Sequence, residues 1–246
     1  MTVDNNVRWQ LALKGAIDRI GAAVLLLLLL PTLALLAALV FIGPGDERHR
    51  RGRRVLFRQR RVGHMGEEFV LLKFRTMHGD PAEDGEADAA WAVAAAAGAS
   101  NPKGCVDRRT TIGRVLRRLR LDELPQLVNV LRGEMSLVGP RPERCNYVAL
   151  FDEAIPGYHN RTRVKPGITG LSQVHGLVGT TSIRDRTDYD NVYIEQWSLW
   201  LDLRIMLLTL PAVLSDRLDT GSEYPLAVAP VAPAPALLIE DGGIRP

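Results

Sequence analysis

Two adjacent carboxylates, Asp122 and Glu123, stand inside TTIGRVLRRLRLDELPQLVNVLRGEMSLVGPRP, the stretch from Thr110 to Pro142. Arg114, Arg117, Arg118 and Arg120 precede them, and Arg141 follows in a Gly-Pro-Arg-Pro turn. Arginine beside a carboxylate favours the charged form, and its guanidinium fork also grips phosphate. An ionised Asp can attack phosphorus, as in aspartyl-phosphate enzymes. These residue types in this spacing therefore fit phosphoryl chemistry. The plainer reading of an Asp-Glu pair ahead of a helix is a cap and a first-turn acid.

The elements that must position the pair are legible from spacing. Ile112, Val115, Leu116 and Leu119 follow i, i+3, i+4, i+7, with arginines between them, which predicts an amphipathic helix with a basic face. Leu124, Leu127, Val128 and Leu131 repeat the pattern, and Gly133 is its expected stop. Pro125 falls where a first helical turn tolerates proline. A helix starting here would make the local field positive. Upstream, Val55 to Phe57 reads as a short strand, Arg58 to Gly63 as a turn, and Phe69 to Phe74 as the hairpin partner with Gly66 in the loop. Lys73 and Arg75 alternate with apolar residues and would leave one face together.

Downstream, Glu143 to Arg163 reads as helical until Pro156-Gly157. The segment from Arg163 to Gly170, RVKPGITG, reads as a turn whose freed amides can cradle an anion, with Lys165 beside it. Gln173 and His175 are expected on a short strand. Tyr189, Asp190 and Tyr193 open a last helical pattern that continues through Trp197, Trp200 and Leu201. Its tryptophans fit a membrane interface. Ile205 to Leu214 is apolar but too short to span.

Near the start, Lys14, Asp18 and Arg19 lead into an uncharged run from Ile20 to Ile42 that is long enough to cross a bilayer. Pro31 lies in its middle and favours a kink. A kinked single span and a re-entrant helix-break-helix both fit. Basic residues on both sides, Lys14 and Arg19 before and the Arg48 to Arg61 belt after, favour two cytoplasmic ends. Such a belt is also drawn to anionic lipid. Lys14 and Asp18, at i and i+4, read as a helix-surface pair.

The net charge of the 246 residues is only +3. Cys105 and Cys145 imply no disulfide framework, and the five histidines have no metal-ligand spacing. The boundaries read as a flexible start over 1–10, a membrane-embedded hairpin over 11–45, and a catalytic region over 46–215. The acidic, Ala-rich stretch 78–103 reads as a flexible insertion, and the Pro/Ala/Val-rich 216–246 as a disordered tail.

Six segments, in one order, resemble the bacterial sugar transferase family of monotopic polyprenol-phosphate phosphoglycosyl transferases. They are KGAIDRI, FRQRRVG, LLKFRTM, LDELPQLVNVLRGEMSLVGPRPE, RVKPGITGLSQVHG and YDNVYIEQWSLWLDLRI. The resemblance implies a mostly α, α/β fold. A re-entrant hairpin would precede a catalytic region with interfacial amphipathic helices and a small sheet, on the cytoplasmic face of the bacterial inner membrane. It departs at the break, where Leu30 stands in place of a serine common in related chains.

The implied reaction moves a sugar 1-phosphate from a UDP-sugar to polyprenyl phosphate and releases UMP. It would initiate exopolysaccharide, O-antigen, capsule or glycoprotein glycan assembly. Asp122 would be the nucleophile, Glu123 a positioning acid, and both would be Mg²⁺ ligands. Lys73, Arg75, Arg117, Arg141, Lys165 and Asp190 would bind substrate. Membrane phospholipid is an expected partner and nucleic acid is not; a homodimer is compatible. The competing reading is a non-enzymatic membrane adaptor whose basic helices bind anionic lipid or nucleic acid.

Overall fold

The computed structural model describes residues 5–43, 55–78, 109–178 and 181–214. The expectations for the flexible insertion, the C-terminal tail and the basic belt before residue 55 lie outside those residues, apart from His78.

Two helices open the fold, α1 (Asn5–Leu28) and α2 (Leu30–Ile42). Helix α1 starts ahead of the loose N-terminal segment's expected end. Among the described residues no single helix is long and apolar enough to cross a membrane. Trp9–Leu28 and Leu30–Ile42 meet that length and composition only as a pair, bent by 66°. The bend has a local cause. Pro31 sits in the first turn of α2, and Leu29 leaves helical geometry at φ −91°, ψ 1°.

The hairpin is longer than its sequence pattern suggested. Strand β1 (Leu56–Val62) pairs antiparallel with β2 (Glu68–Phe74), and Arg58 to Arg61 lie in the ladder, not in a turn. Arg58 and Arg60 face out while Gln59 and Arg61 are partly covered, the period of two that a half-buried strand shows. The turn itself holds Gly66 at φ +81°, where a side chain would be strained.

Helix α3 (Thr111–Arg118) is capped by Thr110, whose hydroxyl accepts the Gly113 amide at 2.8 Å. Leu116 is buried against Leu36, Val40 and Phe74. Val115 (57% exposed) and Leu119 (40%) are not, so only part of the expected apolar stripe meets protein. Helix α4 (Gln126–Arg132) ends as expected at Gly133, which is left-handed with φ +82°.

Strand β3 (Ser136–Val138) pairs in parallel with β4 (Gly167–Thr169). The small sheet is thus two separate two-stranded ladders. The RVKPGITG segment is half strand. Its Gly167 amide donates to Pro140 O at 2.9 Å, so that amide is not free to cradle an anion.

Helix α5 (Cys145–Ala154) precedes a 3-10 turn at Tyr158–Arg163. Gln173 lies on a short helix, α6 (Leu171–Val174), and His175 caps it, not on a strand. The His175 Nδ1 is 2.8 Å from Leu171 O, and its ring lies against Tyr189. The final helical pattern splits into α7 (Ile183–Glu195) and α8 (Leu199–Leu214). Ser198 starts the second helix by accepting the Leu201 amide at 3.1 Å.

The core gathers around these joints. Ala22, Leu71, Leu127, Val130 and Met135 pack α1, β2 and α4 together. Val138, Tyr193, Trp197, Leu201 and Ile205 pack β3 with α7 and α8. Trp197 is therefore buried, and Trp200 alone of the two is exposed, at 71%. Lys14 does more than pair with Asp18 at 3.6 Å. It reaches Asp202 of α8 at 2.6 Å, and Asp202 also accepts from Tyr193 and Trp197. That buried node ties α1 to the C-terminal helices.

Candidate active site

The carboxylate pair occupies a 3-10 turn, Leu121–Glu123, between α3 and α4. Arg120, immediately before it, is left-handed at φ 56°, an uncommon state for a non-glycine residue. It turns the chain sharply into the pair. Asp122 and Glu123 are each 6% exposed. Neither caps α4, whose N-terminus at Pro125 has no side-chain cap. With α4 only seven residues long, the nearby side chains matter more than a helix dipole for the field at the pair.

Glu123 is the organising acid. Its Oε1 accepts from Lys73 Nζ at 2.6 Å and from Arg141 at 2.5 Å, and its Oε2 accepts from Arg141 at 3.2 Å. Burial alone would raise its pKa, but the charges and hydrogen bonds of Arg141 and Lys73 outweigh burial and hold it well below the usual range. Asp122 differs. Burial, then the charge of Glu123, push its pKa up, against Lys73, Arg117 and Arg141. Its Oδ1 is buried with no hydrogen-bond partner. Two adjacent acids thus have different environments: one locked between cations, one buried with an oxygen left unpaired.

Lys73 comes to the pair because β2 is fixed on two sides. Its ladder with β1 occupies one edge. Asn129 of α4, fully buried, occupies the other: it accepts from Leu72 N at 3.1 Å and donates to Val70 O at 2.8 Å. Burial pushes the Lys73 amine down to about 8, partly offset by Glu123. Arg141 arrives by the Gly-Pro-Arg-Pro turn after β3. There the backbones of β3 and β4 cross so closely that a Cβ on Gly167 would lie 2.1 Å from Gly139 N.

The other predicted residues take different places. Arg117 is exposed, donates to the Met77 sulfur at 2.9 Å, and contributes its charge at Asp122. Arg75 follows Lys73 just past β2, half-buried, with Nε unbonded. Lys165 groups with Arg19, Asp18 and Lys14 near α1; burial, then Arg19, lowers its pKa. Asp190 is 1% exposed and both its oxygens are taken, by Ser172 at 2.8 Å and Arg161 at 2.8 Å.

Sequence reasoning passed over Asn129, Arg61, Glu143 and Arg161. Arg61 was absorbed into the basic belt, yet it bonds Gln59, Pro142 O and Glu143. The polar Asn129 at an apolar-face position was a readable signal: a buried amide needs partners. Among the described residues no three His, Cys, Asp or Glu side chains gather to hold a metal.

The arrangement suits chemistry on a phosphate group. It offers an unbonded carboxylate oxygen beside two fixed cations. The profile of the bacterial sugar transferase family matches residues 9–216. The UDP-glucose:undecaprenyl-phosphate glucose-1-phosphate transferase of Caulobacter vibrioides is 44% identical over 207 residues, covering 82% of this chain and 70% of that one. The exopolysaccharide production protein ExoY of Rhizobium meliloti is 40% identical, covering 83% and 86%. The UDP-glucose:undecaprenyl-phosphate glucose-1-phosphate transferase of Escherichia coli K12 is 39% identical, but this chain spans only 39% of its length. Together these place the chain: it belongs to the bacterial sugar transferase family and is an enzyme, not an adaptor.

Proposed function

We propose that the protein transfers a sugar 1-phosphate from a UDP-sugar to undecaprenyl phosphate, as the initiating step of exopolysaccharide or related glycan assembly. The named relatives support the substrate classes. The observation that carries the mechanism is the buried, unbonded Oδ1 of Asp122 beside a fully engaged Glu123. Asp122 attacks the β-phosphorus of the donor. The bond from that phosphorus to the bridging oxygen breaks, its electron pair leaves on UMP, and a phosphosugar-aspartate remains. An oxygen of the lipid phosphate then attacks the same phosphorus and releases the carboxylate. Division into two displacements predicts ping-pong kinetics.

Arg141 and Lys73 neutralise charge at the phosphates while Glu123 holds both in register. Mg²⁺ is commonly held by one or two carboxylates with phosphates and water completing its shell; the unpaired oxygen of Asp122 fits that role, whereas both oxygens of Glu123 are already taken by Arg141 and Lys73. Asp122 would hold it, with Glu123 beside it as the acid that fixes Arg141 and Lys73, and when bound it would supply charge neutralisation between donor and acceptor.

The bent α1–α2 pair is read as a re-entrant hairpin dipping into the cytoplasmic leaflet of the inner membrane. Leu27, Leu28 and Leu30 at the bend are all more than 60% exposed, which fits an apolar surrounding. Cysteines introduced at Trp9 and at Arg58 should both label from the cytoplasmic side; labelling from opposite sides would mean a span.

The deciding experiment for the chemistry is single-turnover UMP release across a panel of UDP-sugars with Mg²⁺ and no lipid acceptor. Roughly one equivalent of UMP per enzyme is expected, with none from Asp122→Asn. Release that waits for the lipid would support direct attack and sink the covalent step.

A further inference from the structure

The turn that carries Arg141 has an unusual problem. Pro140 and Pro142 have no amide hydrogen, so the backbone of this turn can be gripped almost only through its carbonyls. Four successive carbonyls are gripped. Pro140 O accepts from Gly167 N at 2.9 Å, and Glu143 O from Val62 N at 3.0 Å. Between them, Arg141 O accepts from the Arg161 guanidinium at 3.0 Å, and Pro142 O from the Arg61 guanidinium at 3.0 Å. The donors come from distant parts of the chain and converge on the residue whose own guanidinium holds Glu123.

Each gripping arginine is itself anchored. The Arg161 Nε donates to Asp190 at 2.8 Å, and Asp190 accepts from Ser172 on its other oxygen. Arg61 is fixed by Gln59 at 2.7 Å and by Glu143 at 3.3 Å. A buried ion pair is a poor source of stability, because desolvating two charges cancels most of their attraction. It is a good source of direction, because a guanidinium holds two acceptors in one plane. Four anchored donors on four consecutive carbonyls are more than a surface turn needs.

We infer that Arg161, held by Asp190, and Arg61 are positioning residues that set the reach of Arg141 toward Glu123 and the donor phosphate. Asp190 then serves the reaction through Arg161 and the turn, with no contact to substrate. The kinetic test rests on the transferase reading; the inference about the turn does not.

The test is a double-mutant cycle on UMP release. Arg161→Lys keeps the charge but loses the planar fork. It should lower kcat about tenfold to a hundredfold, the scale of a catalytic group displaced by about 1 Å. In an Arg141→Ala background the same change should cost almost nothing more, because the group it positions is gone. Arg61→Gln and Asp190→Asn enter the same cycle and carry the test if Arg161→Lys does not accumulate. Equal losses in both backgrounds would overturn the proposal, since a merely structural role is indifferent to Arg141.

Hydrogen exchange supplies a readout that needs no activity. The Gly167 and Val62 amides, which donate to Pro140 O and Glu143 O, should exchange faster in Arg161→Lys while α1 and α4 stay protected. Unchanged exchange there would also refute the inference. If the wild type releases no UMP from any UDP-sugar, the transferase reading fails, and exchange still decides whether these arginines hold the turn.

Discussion

Lys73 should give the enzyme a basic pH limit. Its amine is pushed from 10.5 to about 8, first by burial, then adjusted by Glu123 upward and Arg141 downward. A displacement of that size corresponds to roughly 3 kcal/mol of preference for the neutral amine. Below pH 8 the ammonium bonds Glu123 at 2.6 Å and adds charge beside the phosphates. Above it that charge disappears. UMP release should therefore fall above pH 8, approaching tenfold per pH unit. Stability moves the other way. Between about 8 and 10.5 the unfolded chain binds more protons at this site than the folded one, so Lys73's contribution to stability rises with pH. Activity falling while Lys73's stability contribution improves separates this limb from denaturation. Lys73→Arg, always charged, should lose the limb, at reduced absolute activity because the fork fits the site differently. The measurements are kcat/KM and thermal unfolding at matched pH from 6 to 10. A flat activity profile to pH 10, or a limb that persists in Lys73→Arg, would refute the reasoning.

Three further outcomes follow from the packing. Lys14→Met strips Asp202 of its cation while leaving the acid buried, and loss of one partner of such a pair typically costs about 3–5 kcal/mol; thermal unfolding and protease access to α1 report it. Gly167→Ala drives a Cβ to within 2.1 Å of Gly139 N, just past the end of β3. The strands must part, and three ladder hydrogen bonds at about 1 kcal/mol each are at risk; a variant as stable as the wild type would refute the close crossing. Asn129→Leu leaves the buried Leu72 amide unbonded, costing about 1–3 kcal/mol, and releases the part-buried Val70 carbonyl at a smaller cost. It should also lower activity beyond the stability loss, because β2 carries Lys73.

What could be read in the sequence was local, and what was missed was distant. Helix α4 and its stop at Gly133 were legible because 3.6-residue spacing and a left-handed glycine are properties of neighbours. Strand β1 was half missed because Arg58, Arg60 and Arg61 look like a turn by composition. The ladder to β2 overrides that impression, since exposed arginines alternate with covered residues on an edge. Strand β4 could not be found from its pattern: three residues show no period. The break between α7 and α8 lacks glycine and proline, and its mark was Ser198 as a cap. At the site, Asp122, Glu123 and Arg141 were found as a local cluster. That Lys73 belongs at the site was reached only by resemblance, and its engagement of Glu123, across fifty positions, was not foreseen. The anchoring of Arg141 by Arg161 and Arg61 had no local signature at all.

The asymmetry within the acidic pair follows from those distant contacts. Two adjacent carboxylates in one buried turn repel, and neither is favoured in the absence of cations. Arg141 and Lys73 both approach Glu123, so that side chain carries the attraction and becomes the fixed point of the site. Asp122 feels the same cations only through space and keeps an oxygen without a partner. Had the cations divided evenly, both acids would be tied down and neither would be open to phosphorus. In the proposed mechanism, the engagement of Glu123 by both cations thus leaves its neighbour available for attack. The grip on four consecutive carbonyls matters for the same reason: a turn that let Arg141 swing by an ångström toward Asp122 would erase the difference between the two acids.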